Sequence, residues 1–406
     1  MKVKPMSSRR VFLQNSAAAI GLSAVAGFPN LAVGRVATEK RLLFVILRGG
    51  LDGLTAVPPY ADPHYRPARG ALAVPPPGER DGAIDLDNRF GLHPALERLM
   101  PLYRRGELLI MHAISIPAPT RSHFVAQDLL ETGAPKGEPL RQGWLNRALS
   151  YFPVTDTRLG LSVGYEIPNV LRGNNPVASW APSWLPETRP DLLDKLADIY
   201  QDDPLLSKAL AEGRYAREMS NRIIGGKDMM RSGNLRRERQ FGTLTKAAGR
   251  LLAAPDGARL AVIEMGGWDT HTNQVNRLKR NLKLLGNGLA TIPDSLGSAW
   301  RDTVVVVATE FGRTVHTNGT KGTDHGTGSA AFILGGSVAG GRVASYWPGL
   351  APNRLYKNRD LAATTDIRGL FKAVLRDHFG ISHVDVETSI FPDSAGAKTP
   401  PGKIII

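Results

Sequence analysis

The chain has 406 residues, of which 42% are hydrophobic and 22% charged, and it contains no cysteine. This balance is typical of a globular protein and argues against a disordered chain. The absence of cysteine excludes disulfides, thiolate metal sites and cysteine nucleophiles, so any metal ion would need oxygen and imidazole ligands. The formal net charge of +14 favours an anionic substrate or surface.

The first 34 residues are predicted to be an export signal. They contain the pair Arg9–Arg10 in "SSRRVFL", a modest apolar stretch over residues 17–26 and a small-residue "AVA" that could be cleaved. These features are typical of twin-arginine signals, which carry folded proteins across the bacterial inner membrane. A general secretory signal with a chance arginine pair is the alternative. Export would place the mature chain in the periplasm, and no other segment reaches the roughly 20 apolar residues of a membrane span.

The charge distribution limits the expected partners. The signal holds four basic residues and no acid, so its removal lowers the net charge from +14 to +10. The densest basic run, "RSGNLRRERQ", fits the solvated face of a helix, and no aromatic-interleaved basic patch accompanies it. Nucleic acid is therefore not an expected partner, and dispersed charge also disfavours adhesion to a polyanion or membrane surface. We expect an anionic small molecule, and the sequence does not indicate an oligomeric state.

Short apolar runs predict four buried strands, with amphipathic helical patterns at 93–106, 275–292 and 365–380. The strand candidates are "RLLFVIL" at 41–47, "ELLIMHA" at 107–113, "ARLAVIEM" at 258–265 and "DTVVVVAT" at 302–309. Alternating strands and helices predict a three-layer α/β/α sandwich with a mostly parallel central sheet. Residues 35–406 are predicted to form this single domain. A helix-rich insertion at about 183–250 could be a cap over the site or a packing layer.

Polar residues gather where the predicted strands end. The carboxyl ends of parallel strands meet at one edge of the sheet, so the side chains there converge. Carboxylates and neutral imidazoles are suitable ligands for zinc, manganese, calcium or magnesium, and one or two such ions are predicted. The candidate ligands are Asp52, Asp269, His271, Glu310, Asp324 and His325, while Ser122, His123 and Arg313 lie at the same edge.

Several of these residues also have a purely structural explanation. Asp52, among glycines, could form a turn, and Ser122 could cap the helix that starts in "SHFVAQDLLE". Asp269 and Asp324 could cap helices or close turns. The convergence of such residues at four strand ends, rather than any one of them, indicates a site.

Five ordered motifs resemble a known family. The motifs "GGLDGL", "RSHFVAQDLLETG", "GGWDTH", "ATEFGR" and "GTDHGTGSAAFILGG" are similar to those of the bacterial proteins grouped as domain of unknown function 1501. The resemblance covers about residues 40–380. That family resembles the alkaline phosphatase superfamily, which includes phosphatases, sulfatases and phosphosugar mutases, and the resemblance implies an alkaline-phosphatase-like fold.

The resemblance also implies two metal ions, one held by Asp52, Ser122 and Glu310 and the other by Asp269, His271 and His325. The chain departs from the superfamily pattern at two places. Asp269 and His271 are only two residues apart, and Phe311 stands where the superfamily has a histidine. One metal site is therefore expected to be incomplete. The text closest to a sulfatase signature, "SIPAPTR" at 115–121, has the wrong spacing, which argues against a formylglycine nucleophile.

The predicted function is an exported, metal-dependent hydrolase of phosphate or sulfate esters. Ser122 would be the nucleophile, at a helix N-terminus that favours an incoming anion, and Arg313 would hold the non-bridging oxygens. The alternative is a non-catalytic periplasmic binding or assembly protein that keeps the fold, because a fold does not determine a function.

Overall fold

The structure is a computed structural model that describes residues 38–135, 140–152, 159–182, 190–224, 237–397 and 399–406. The predicted export signal at 1–34 lies outside these residues, so its assignment remains a prediction.

A nine-stranded sheet forms the centre of the described chain. Its strands lie in the order β10-β4-β9-β8-β1-β7-β5-β6, with β11 beside β4, while β2 and β3 form a separate antiparallel pair. The strands are β1 (Arg41–Arg48), β2 (Ile84–Asp85), β3 (Gly91–Leu92), β4 (Leu108–Ser115), β5 (Gly160–Val163), β6 (Val177–Trp180), β7 (Leu260–Gly266), β8 (Thr303–Thr309), β9 (Ser329–Leu334), β10 (Arg342–Ala344) and β11 (Thr365–Asp366). The four predicted strands are confirmed as β1, β4, β7 and β8.

The strand directions place four strand ends at one edge. β1 pairs in parallel with both β7 and β8, and β9 runs antiparallel to both β8 and β4. β4 therefore runs in the same direction as β8. The prediction of a mostly parallel sheet is confirmed, and the carboxyl ends of β1, β4, β7 and β8 lie at the same edge.

Twelve α-helices flank the sheet within the described ranges. They are α1 (Gly53–Ala56), α2 (Tyr65–Arg69), α3 (Met100–Arg104), α4 (His123–Thr132), α5 (Trp144–Leu149), α6 (Pro190–Tyr200), α7 (Pro204–Ile224), α8 (Arg237–Ala253), α9 (Gln274–Ala290), α10 (Ile292–Leu296), α11 (Ile367–Ala373) and α12 (His383–Asp385). The helical prediction at 93–106 is confirmed as the 3-10 helix Pro94–Leu99 followed by α3. Those at 275–292 and 365–380 correspond to α9 and to α11 with its π-helical continuation Val374–His378.

Alternate residues of β1 face two separate hydrophobic clusters. Leu43 belongs to the cluster that contains α8, α9 and the 3-10 helix Pro94–Leu99, which we call the first helix layer. Phe44 belongs to the cluster that contains α4, α5 and α11, which we call the second helix layer. Successive residues of a strand point to opposite faces, and both side chains are fully buried because a helix layer covers each face of the sheet. The predicted three-layer α/β/α sandwich is confirmed.

The helix-rich segment predicted at about 183–250 contains α6, α7 and most of α8. Phe241 and Leu244 of α8 are buried in the first helix layer, whereas Ile199 of α6 is 70% exposed. The division of the chain into a domain and an insertion remains a prediction. Among the described helices, none combines the length and the apolar character that crossing a membrane would need.

Candidate metal centre

The candidate site lies at the edge of the sheet where the parallel strands end. Glu310 follows the last residue of β8 directly, and Asp269 follows β7 by three residues. His123 is the first residue of α4, in the segment after β4. The loop after β8 turns back on itself, with an antiparallel bridge between Arg313 and His325. Segments that are far apart in the sequence therefore meet at one edge.

Two glycines at the end of β1 allow these loops to approach closely. Gly49 has a φ of +120°, and a Cβ atom there would lie 2.4 Å from the backbone nitrogen of Asp269. Gly50 has a φ of +80°, and a Cβ atom there would lie 2.8 Å from the ring of Phe311. A side chain fits neither position, which explains the two glycines of "RGGLDG". The backbone N–H of Gly49 also donates to Oε1 of Glu310 at 2.8 Å.

Three histidine side chains converge on Asp269. His271 Nε2 and His325 Nε2 lie 3.0 Å and 3.2 Å from Asp269 Oδ1, and they are 2.9 Å from each other. His123 Nε2 lies 3.6 Å from Asp269 Oδ2. In His123, Asp269 and His325, one ligand atom of each residue lies within 4.8 Å of the others, so these residues could hold a metal ion.

The other ring nitrogen of each histidine faces a hydrogen-bond acceptor. The acceptors of Nδ1 are Oε1 of Glu310 for His123 (2.8 Å), Oδ1 of Asp324 for His271 (3.1 Å) and the carbonyl oxygen of Arg121 for His325 (2.7 Å). Ionised carboxylate and carbonyl oxygens only accept hydrogen bonds, so we assign the proton of each neutral ring to Nδ1. Each Nε2 is then left with a lone pair directed towards Asp269.

This arrangement fits a bound cation. The Nε2 lone pairs and the Asp269 carboxylate would repel one another without a positive charge between them. His123 Nε2 is buried and has no hydrogen-bond partner in the described part of the chain. Histidines that bind metals usually donate their second ring N–H to a carboxylate or a carbonyl, as these three do. Three imidazoles and one carboxylate are ligands suited to zinc or manganese.

Neighbouring groups shift the pKa values of the site residues. The hydrogen bond to Glu310 raises the pKa of His123 despite its burial. Burial alone would raise the pKa of Asp269, but its contacts with Arg313, His271 and His325 together outweigh this and lower the pKa. Burial lowers the pKa of His325, which favours the neutral ring with an available Nε2 lone pair. The raised pKa of His123 favours competition between a proton and a metal ion at this ring.

Glu310 and Asp324, which were predicted as ligands, instead contact histidines that surround Asp269. Glu310 is fully buried, and its Oε1 accepts from Gln127 at 3.2 Å as well as from His123. Asp324 accepts from His271. These contacts orient two of the imidazoles.

Asp52 lies outside the group of converging side chains. It is 1% exposed and caps α1, with the Thr55 N–H donating to Oδ1 at 3.3 Å. Its Oδ2 accepts from the guanidinium of Arg69 and from the side-chain amide of Gln274. These contacts are those of a helix cap and a buried ion pair, and they occupy the carboxylate that was predicted to bind a metal ion.

Ser122 and Arg313 differ in their access to solvent. Ser122 is exposed at the N-terminus of α4, and its hydroxyl makes no capping hydrogen bond within the described residues. Arg313 has a fully buried side chain that donates to Asp269 Oδ1 at 2.8 Å and to Thr323 Oγ1 at 3.2 Å. Its Nη2 also donates to the carbonyl oxygen of Thr323. These bonds leave the guanidinium poorly placed for the predicted contact with substrate oxygens, because each of its nitrogens already has a partner.

His123 also points at Asp269, but the sequence analysis did not identify it as a candidate ligand. It was recognised at the end of the second predicted strand, but Ser122 beside it was chosen as the functional residue. The signal that could have identified it is its position at a helix start, after a strand whose end lies at the same edge as Asp269 and Glu310.

Phe311 packs against both His123 and His325, and its ring centroid lies 4.9 Å and 4.8 Å from theirs. It forms an apolar wall where the superfamily pattern has a histidine.

Comparison with known proteins identifies the family. Residues 109–390 match the family described as "Protein of unknown function (DUF1501)". The chain belongs to this family, as its motifs predicted. A search of curated proteins finds no significant match.

Among solved structures, the chain is similar to the C-terminal periplasmic domain of EptC from Escherichia coli in complex with zinc, with 11% identity, 75% and 77% of the two chains covered and a TM-score of 0.36. It is also similar to the lipoteichoic acid synthase LtaP from Listeria monocytogenes, with 10% identity, coverage of 78% and 71% and a TM-score of 0.35. A protein in the alkaline phosphatase superfamily from Vibrio parahaemolyticus matches with 12% identity, coverage of 82% and 72% and a TM-score of 0.34.

Proposed function

We propose that this member of the family is an exported, metal-dependent hydrolase of phosphate or sulfate esters. The observation that carries the proposal is the set of three Nε2 atoms directed at Asp269, one of which, in His123, is buried without a hydrogen-bond partner among the described residues. A buried polar atom without a partner costs about 1–3 kcal/mol, and a bound cation would satisfy the lone pair of His123 Nε2.

We propose that His123, His271, His325 and Asp269 hold one divalent ion, zinc or manganese. When bound, such an ion would polarise an oxygen of the ester and neutralise charge that develops there. Neighbouring residues hold the proposed ligands in place. Glu310 and Asp324 orient two of the imidazoles, and Arg313 orients Asp269. The proposal is for one ion, because a single group of candidate ligands is found in the described residues.

Ser122 is the proposed nucleophile. It precedes His123 directly, its side chain is exposed, and it stands at the N-terminus of the ten-residue helix α4. Unpaired backbone N–H groups and the helix dipole favour an anion at this position. Attack by the Ser122 oxygen on phosphorus or sulfur would form a seryl ester as the substrate's alcohol departs, and water would then release phosphate or sulfate.

Export to the periplasm is part of the proposal and depends on the Arg9–Arg10 pair. The positive charge of the chain is consistent with an anionic substrate, because it would attract such a molecule to the protein.

The test is hydrolysis of a panel of aryl phosphate monoesters, diesters and aryl sulfates, each with zinc, manganese, calcium or magnesium. We expect metal-dependent turnover of at least one class and its loss when the metal is chelated. A protein that binds metal but leaves the whole panel intact would contradict the hydrolase and favour the binding or assembly protein.

A further inference from the structure

We propose that Thr323 and Gln274 are positioning residues that hold Arg313 on Asp269, and thereby set the metal affinity of the site. The inference rests on the proposed metal centre. It comes from a continuous chain of buried polar groups that joins Asp52 to Asp269 and in which each donor and acceptor has a defined direction.

The chain of contacts begins at Asp52, which is almost fully buried. Its Oδ2 accepts from the Thr55 hydroxyl at 2.9 Å, from the guanidinium of Arg69 and from Nε2 of Gln274. Arg69 is itself fully buried, so the negative charge of Asp52 is neutralised inside the protein. The result is a fixed acceptor at one end of the chain of contacts.

This acceptor determines which way the amide of Gln274 points. Gln274 is fully buried, and its NH2 group must face Asp52 because a carboxylate can only accept. Its Oε1 therefore faces the opposite way, where it accepts from the hydroxyls of Thr270 at 3.0 Å and Thr323 at 2.6 Å. A reversed amide would place oxygen against the Asp52 carboxylate and leave both hydroxyls without this acceptor.

The orientation of Gln274 in turn fixes the hydroxyl of Thr323. Because Thr323 donates its proton to Gln274, its oxygen lone pairs are free to accept from Nε of Arg313 at 3.2 Å. The carbonyl oxygen of Thr323 accepts from Nη2 of the same guanidinium. These two hydrogen bonds to Thr323 thus fix the orientation of the planar guanidinium group of Arg313.

Arg313 connects this chain of contacts to Asp269 in the candidate metal centre. Its Nη1 donates to Asp269 Oδ1 at 2.8 Å, the oxygen on which His271 and His325 converge. The Asp269 side chain is 46% exposed and follows a strand end, so it would otherwise be free to change rotamer. Residues that orient the ligands of a metal typically change metal affinity by about 10- to 100-fold when they are replaced.

The experiment measures the dissociation constant of Zn²⁺ by competition with a chromophoric chelator, using the full chain. Thr323→Val keeps the shape of the side chain and removes the hydroxyl, and we expect zinc binding about tenfold weaker than in the wild type. Thr323→Ser keeps the hydroxyl and loses a methyl group, and we expect an affinity close to that of the wild type, because the chain of contacts is intact. The pair separates positioning from packing, since Thr323→Val preserves the packing and removes the hydroxyl, whereas Thr323→Ser removes a methyl group and preserves the hydroxyl.

A second variant keeps the inference testable if Thr323→Val does not fold. Gln274→Met removes the preceding link at similar volume and is expected to weaken zinc binding to a similar extent, with circular dichroism reporting the folded state. Wild-type affinity in folded Thr323→Val or Gln274→Met would overturn the inference, as would equal losses in Thr323→Val and Thr323→Ser. A wild-type protein that takes up no zinc at all would overturn the proposed metal centre and the inference with it.

Discussion

Nδ1 of His123 lies 2.8 Å from Oε1 of Glu310, and this contact joins the start of α4 to the end of β8. It directs the opposite ring nitrogen at Asp269 and raises the pKa of the imidazole. The pair therefore fixes both the orientation and the basicity of a candidate ligand.

Replacing Glu310 tests this relationship. Glu310→Gln keeps an acceptor for His123 but removes the charge, and we expect about tenfold weaker zinc binding with the fold retained. Glu310→Ala should weaken it further, because Nδ1 then loses its acceptor. Competition titration with Zn²⁺ measures both effects, with Glu97→Gln on the exposed surface as the control. Equal affinity in wild type and Glu310→Ala would mean that His123 needs no orientation by this carboxylate.

Ser122 should matter for turnover and little for stability. Its hydroxyl makes no capping bond among the described residues, so Ser122→Ala is expected to change the free energy of unfolding by no more than about 0.5 kcal/mol. If Ser122 is the nucleophile, the same variant should lose hydrolysis of the aryl esters, because a methyl group cannot attack. Kinetic assays measure the effect on turnover, and urea unfolding of the same variant measures the effect on stability. Wild-type turnover in Ser122→Ala would reject the nucleophile.

A buried histidine away from the site predicts acid sensitivity. Burial, together with the nearby Lys40, lowers the pKa of His378 to about 4, although the carbonyl of Arg41 and the carboxylate of Asp302 oppose the shift. The unfolded chain binds the proton near pH 6.5, so this contribution to stability is complete above that pH and is lost as the pH falls towards 4. The loss is about 1.4 kcal/mol per pH unit within that range.

Urea unfolding at pH 7, 6 and 5 in the presence of a chelator measures this effect without a contribution from metal binding. We expect His378→Gln to lose less stability on acidification than the wild type, because glutamine does not titrate. Parallel losses in the two proteins would assign the acid sensitivity to other groups.

Export should depend on the arginine pair, which lies outside the described residues. Replacing Arg9 and Arg10 by lysine is expected to leave the precursor in the cytoplasm, because the twin-arginine receptor distinguishes guanidinium from ammonium groups. Cell fractionation of wild type and variant measures the outcome. Continued export of the double variant would indicate a general secretory signal.

The sheet and the edge that holds the candidate site were predictable because they depend on local patterns. Runs such as "DTVVVVAT" are long enough to identify buried strands, and polar residues such as Asp269 and His325 follow them at positions that parallel strands bring together.

The roles within the site were not predictable, because they depend on contacts between distant segments. Asp52 and Asp269 both follow strands and look equivalent in the sequence. Asp52 meets Arg69 and Gln274, the latter 222 residues away, whereas Asp269 meets the histidines. Likewise, nothing near Arg313 in the sequence indicates that its side chain is fully buried and already engaged.

The most direct test of the metal centre is the metal content of protein purified without a chelator and then exposed to zinc and manganese. Elemental analysis should find about one equivalent per chain in the wild type and in His383→Ala, which alters an exposed histidine. His123→Ala and His325→Ala should retain much less metal while remaining folded. A wild type without metal, or equal metal content in all four proteins, would contradict a metal centre formed by Asp269 with His123, His271 and His325.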